Sequence, residues 1–168
     1  TNGCNQSPLL YCPFNEVTRA EMAKFILTAK HGPSFKPQEA TGVFSDIDYD
    51  NNEPWYVDWV DELYREGLTD GCSPNTLSYC PDASVSRAEM AKFILKALNG
   101  KDYNLEPLQP GEDTGFADVN PEFWAAPWIK ELKQQGLTDG DGTGNYNPFA
   151  PVTRKEMAKF IVTAFDYP

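Results

Sequence analysis

Val85-Ser86-Arg87-Ala88-Glu89-Met90-Ala91-Lys92-Phe93-Ile94 decides how this chain folds, because the chain writes it three times. It stands first as Val17-Thr18-Arg19-Ala20-Glu21-Met22-Ala23-Lys24-Phe25-Ile26. It stands last as Val152-Thr153-Arg154-Lys155-Glu156-Met157-Ala158-Lys159-Phe160-Ile161. Sequence repeated at a fixed period predicts units that bury their apolar faces largely against one another. Each copy predicts a helix, with Met90, Phe93, Ile94 and Ala97 on the buried stripe of the second.

Ahead of the repeated helix lies a second pattern. Phe44-Ser45-Asp46-Ile47 leads into a segment where Trp55, Trp59, Val60 and Leu63 share one helical stripe, ending at Gly67. Phe116-Ala117-Asp118-Val119 leads likewise into Trp124, Trp128, Ile129, Leu132 and Gly136. Both continue as Gly-Leu-Thr-Asp-Gly, at 67–71 and 136–140, and then as a loop rich in Gly, Asn and Pro. The first copy begins only at Thr1-Asn2-Gly3-Cys4, matching Thr69-Asp70-Gly71-Cys72, so its tryptophan helix is expected upstream or removed. Met22, Phe25 and Ile26 should then expose an apolar face that a neighbouring copy or another surface protein covers. The chain divides into units at 1–32, 33–100 and 101–168, an all-α arrangement of tandem helix–loop–helix repeats.

The 168 residues carry a net charge of −11. That charge disfavours nucleic acid, which needs clustered Lys and Arg, and no apolar run is long enough to cross a membrane. Cys4 and Cys12 flank one loop, Cys72 and Cys80 the next, and Asp141 and Asn147 take about those places in the third. Cysteines present or absent as pairs point to local disulfides and an oxidising compartment. Zinc is disfavoured by the spacing and by a single histidine, His31.

Thr18 with Glu21, Ser86 with Glu89, and Thr153 with Glu156 form capping boxes. The arginine between them is not required by the helix, since a cation in the first turn opposes the helix dipole. It either packs its stem and pairs with an acidic neighbour, or it receives an anion beside free N–H groups. Trp55 and Trp124 either pack in the core or stack on a sugar ring; Asp46 and Asp118 either initiate turns or accept sugar hydroxyls.

The whole pattern resembles the S-layer homology family. That resemblance implies three repeats in a pseudo-threefold assembly with grooves between them, anchoring surface proteins non-covalently to acidic, often pyruvylated, wall polysaccharide. It implies ligand contacts from Arg19, Arg87 and Arg154, from Trp55, Trp124, Asp46 and Asp118, and from the loop glycines Gly71 and Gly140, with Gly3 in the partial copy. Under this reading the missing front helix leaves the Arg19 site without its own tryptophan and aspartate. No cofactor is expected, although alternate acids at Asp46–Asn52 and Asp139–Asn145 have the oxygen chemistry of calcium loops without the closing glutamate. No nucleophile–base pair appears, so the chain reads as no enzyme. The competing expectation is a self-assembling extracellular subunit whose first repeat a neighbour completes.

Overall fold

The computed structural model describes residues 3–49, 54–73 and 75–166. Among them the order is β1 (Asn5–Gln6), β2 (Leu9–Leu10), α1 (Arg19–His31), α2 (Val57–Arg65), α3 (Arg87–Asn99), α4 (Ala126–Gln134) and α5 (Arg154–Phe165). The two short strands form one antiparallel hairpin, and everything else of regular structure is helical.

The three repeated helices α1, α3 and α5 pack against one another. Each begins at the predicted capping box, with the Thr or Ser hydroxyl accepting from the third backbone N–H and the glutamate accepting from the cap N–H. The residue just before each cap is a valine with no exposed surface. Val17 N–H donates to Val152 (2.8 Å), Val152 to Val85 (2.8 Å) and Val85 to Val17 (3.0 Å). This closed ring of backbone hydrogen bonds is the hub of a pseudo-threefold arrangement.

Around the hub the cover is unequal. Helix α2 packs on α1 and α4 packs on α3, whereas among the described helices and strands α5 packs on α1 and α3 alone. The tryptophan helix of each sequence repeat therefore covers the repeated helix that precedes it in the chain. Val60, Leu63, Ile129 and Leu132 are fully buried in these contacts, each worth roughly 1.5–3 kcal/mol of transfer free energy. This corrects the expectation of a bare first helix. Met22 and Ile26 have no exposed surface and Phe25 is half-buried, because α1 packs against α2 as well as against α3 and α5. Among the described residues the repeated helix without a covering helix is the last one, α5.

The connection after α1 is pinned by acids on α2. Asp61 accepts from the N–H groups of Thr41 (2.6 Å) and Gly42 (3.1 Å) and from the Tyr49 hydroxyl (2.8 Å), and Asp58 accepts from Ala40 N–H (2.8 Å). These bonds explain how Asp61 is tolerated at 1% exposure.

Candidate functional site

The arginines sit where the repeats meet. They are 3%, 7% and 4% exposed, so they are not directed at open solvent. Arg19 Nε donates to the Tyr79 carbonyl (2.7 Å) and its Nη1 to Glu89 (2.7 Å). Arg87 repeats this with Tyr146 (2.7 Å) and Glu156 (2.9 Å), and Arg154 with Tyr11 (3.0 Å) and Glu21 (2.9 Å). The connections run from the first repeat to the second, the second to the third, and the third back to the first. Each tyrosine hydroxyl returns a hydrogen bond to the backbone carbonyl of its arginine. Each guanidinium also lies over that tyrosine ring and over a phenylalanine of the next helix: Phe93, Phe160 or Phe25.

The repeated motif thus joins the units as well as starting each helix. Glu89 gives one oxygen to its own cap at Ser86 and the other to Arg19, and Glu21 and Glu156 divide their oxygens in the same way. Burial opposes ionisation of Glu156, yet the Thr153 hydroxyl and N–H together with Arg87 hold its pKa below the usual carboxylate value. Burial raises the pKa of Tyr79 and Tyr146 despite the adjacent arginines, so both phenols remain neutral hydrogen-bond donors.

The helix starts offer no free N–H groups to an anion, contrary to expectation. The Arg19, Arg87 and Arg154 N–H groups donate to Ala83, Ala150 and Asn15, and the next N–H groups donate to Pro81, Pro148 and Pro13. The capping hydroxyl takes the third. Backbone carbonyls from neighbouring loops already fill the places an anion would occupy.

Asp46 and Asp118 also have structural partners. Asp46 accepts from the N–H groups of Tyr79 and Cys80, and Asp118 from those of Tyr146 and Asn147, all at 2.7 Å. They clamp the loops that present the tyrosines to the arginines. Gly71 and Gly140 have φ of +85° and +72°, and a Cβ there would strike the carbonyl oxygen of Ser78 or Asn145. These glycines let the loop close on itself; Gly3 is placed in the same way against Leu10.

The same loops are stapled. Cys4–Cys12 and Cys72–Cys80 are disulfides, and in the third loop Asn147 Nδ2 donates to Asp141 (2.9 Å) across the same span. Asp141 also accepts from Thr143 and Asn145, and the bonds from Thr143, then Asn147 and Asn145, hold its pKa far below the usual carboxylate range. Its oxygens therefore serve the turn. In the other acidic run, Asp50, Asn51 and Asn52 lie outside the described residues. Cys72 and Cys80 approach Asp46 closely, but as a disulfide they offer no thiolate to a metal.

An open groove of about 240 Å³ runs beside the first clasp, lined by Arg19, Thr69, Gly71, Lys92, Phe93 and Trp124 among others. The second nitrogen of Arg19, Nη2, is buried without a hydrogen-bond partner. Lys92 pairs weakly with Asp70 at 3.3 Å. Trp124 is 52% exposed and Trp55 is 56% exposed, because both precede their helices instead of lying on the buried stripe. The Arg19 site consequently has an indole, supplied by Trp124 of the third repeat. At the counterpart position Trp55 lies beside Lys24, whose Nζ is 5.5 Å from its ring. Tyr11, Tyr79 and Tyr146 were missed in the sequence; their recurrence one residue before Cys12, Cys80 and Asn147 was the available signal.

Residues 115–158 match the S-layer homology domain. The chain belongs to the S-layer homology family. It is 30% identical over 147 residues to an amylopullulanase of Thermoanaerobacterium thermosulfurigenes, covering 88% of this chain and 7% of that protein. It is 32% identical over 123 residues to an exoglucanase of Acetivibrio thermocellus, covering 73% and 10%. Against the surface-layer 125 kDa protein of Lysinibacillus sphaericus it is 28% identical over 152 residues, covering 87% and 11%. The chain therefore spans about a tenth of the length of these relatives. The loops of the three S-layer homology repeats here differ in their staples, disulfide in two and Asp–Asn in the third.

Proposed function

We propose that this chain is a non-catalytic module that anchors at the cell surface by holding an acidic wall glycan in the grooves between its repeats. The relatives support the cell-surface part, since their names include a surface-layer protein as well as enzymes that act on polysaccharides. The glycan reading rests on one observation: a groove lined by exposed Trp124, by half-buried Lys92 and by Arg19, whose buried Nη2 has no hydrogen-bond partner. An indole face suits a sugar ring, an ammonium suits a carboxylate, and a buried donor without a partner gains from any acceptor that reaches it. Asp70 and Glu89 also line this groove and pair with Lys92 and Arg19, so it is locally neutral in a chain of net charge −11, and an acidic sugar would compete with Asp70 for Lys92.

Arginine substitutions are poor tests of this function, because they break the joints between repeats. Trp124→Ala and Lys92→Gln alter side chains at the groove and leave the clasps intact. Co-sedimentation with purified acidic wall polysaccharide should weaken at least about tenfold in each variant, or about 1.4 kcal/mol, with thermal unfolding unchanged. Undiminished binding in the double variant would refute the glycan groove. The alternative of a polymer completed at the first repeat loses its surface, since α2 already covers α1.

A further inference from the structure

The loop ahead of each repeated helix has one position that carries an aromatic ring in two copies out of three. Phe14 and Phe149 stand there, 75% and 78% exposed, and Asp82 takes the place in the second copy. Rings so exposed contribute little to the core, and their surroundings differ in a telling way. The carbonyl of Pro13, just before Phe14, accepts from Lys155 N–H (3.0 Å), and that of Pro148, just before Phe149, accepts from Ala88 N–H (2.9 Å). The two loops therefore dock on their helices alike, with Lys155 beside one ring and Ala88 beside the other. Lys155 Nζ lies 5.2 Å from the Phe14 ring, a cation–π pair within the molecule. Ala88 brings no cation to Phe149.

Phe149 instead forms one wall of an open pocket of about 280 Å³, with Pro148 and with Phe123, whose ring centre is 5.2 Å from its own. Asp118 and Glu122 line the same pocket and are exposed. Among the described residues no lysine, arginine or histidine pairs with either. Asp118 spends its oxygens on the Tyr146 and Asn147 N–H groups, so it adds negative charge to the pocket, while the Glu122 carboxylate is left to meet a donor. We propose that this pocket receives a lysine side chain of a basic partner polypeptide, its ammonium held by Glu122 and by the two phenylalanine rings, its stem along Pro148. The equivalent ring already takes a lysine within the molecule, and the carboxylates supply the complementary charge. A net charge of −11 attracts a basic partner and opposes a second copy of this chain. The pocket shares no lining residue with the groove beside Arg19 and takes the opposite charge, so it stands or falls apart from the glycan reading.

The test is titration of the chain with Nα-acetyl-lysine amide, followed by nuclear magnetic resonance. The backbone signals of Glu122, Phe123 and Phe149 should move saturably, and the same probe with its side-chain amine acetylated should leave them in place. Phe149→Ala and Glu122→Gln change exposed side chains and should each weaken binding at least about threefold, with thermal unfolding unchanged. Ala88→Lys should place an ammonium over Phe149 from within and abolish binding, as Lys155 does for Phe14. No movement, equal movement with the acetylated probe, or undiminished binding in Phe149→Ala would overturn the proposal. So would glucosamine binding as tightly as the lysine probe, since an amino sugar would then be the occupant. Movement of the same signals on raising the protein concentration alone would overturn it in favour of a second copy.

Discussion

The hub and the outer shell obey different symmetries. At the hub each copy of the motif supplies both halves of a joint, an arginine to the next repeat and a glutamate to the previous one. Three copies therefore close on themselves with no end left over. In the shell each repeated helix pairs with a separate covering helix, and among the described residues two such helices stand against three repeated ones. A closed ring is complete at three copies, whereas pairing one element with another leaves an end wherever the numbers differ.

The sharpest way to break this contrast is at the hub. Arg87→Ala removes the ion pair to Glu156, the bond to the Tyr146 carbonyl and the stacking on Phe160. It should cost about 4 kcal/mol in denaturant unfolding, as expected when one partner of a largely buried pair is deleted. Arg19→Ala and Arg154→Ala should cost similar amounts. A negligible loss at one of the three would show that the ring is not closed there.

The shell gives the next largest effect and a direct internal control. Leu27→Ala and Leu95→Ala should each cost about 3 kcal/mol, since each empties a fully covered position. Truncating Val162 to Ala should cost less than about 0.5 kcal/mol, because water already reaches that side chain. Equal losses at all three sites would contradict the difference in cover.

The smallest effect is that of acid on the joints. The folded-state pKa of Glu156 lies below its ordinary 4.5, so the carboxylate contributes stability above that value. The contribution should fade as pH falls through the lowered value, and Glu156→Gln should flatten that part of the stability profile. An unchanged profile would separate the glutamate from the joint.

Much of this was legible in the residues. The Thr/Ser-x-x-Glu spacing located the starts of α1, α3 and α5, because capping is a local matter settled within four residues. The cysteine pairs were equally local. Which helix covers which was not legible: the stripe of Trp59, Val60 and Leu63 states that a partner exists without naming it, and residues 32–56 can reach more than one. The destination of the arginines was hidden for a related reason. A charge in a first turn reads as solvent-facing until a tyrosine carbonyl and a glutamate some 60 to 70 residues away are brought beside it. Trp55 and Trp124 fit the helical period and yet lie just before the helices begin, which leaves them exposed.

The groove beside Arg19 is the centre of the functional account, and the indole N–H signals of the four tryptophans report on it directly. Titration of the chain with an acidic wall oligosaccharide, followed by nuclear magnetic resonance, should move the Trp124 signal well before that of buried Trp128. The same sugar stripped of its acidic groups should have little effect. If the Trp124 signal stays in place while the glycan binds, the ligand lies elsewhere and the groove is not the site.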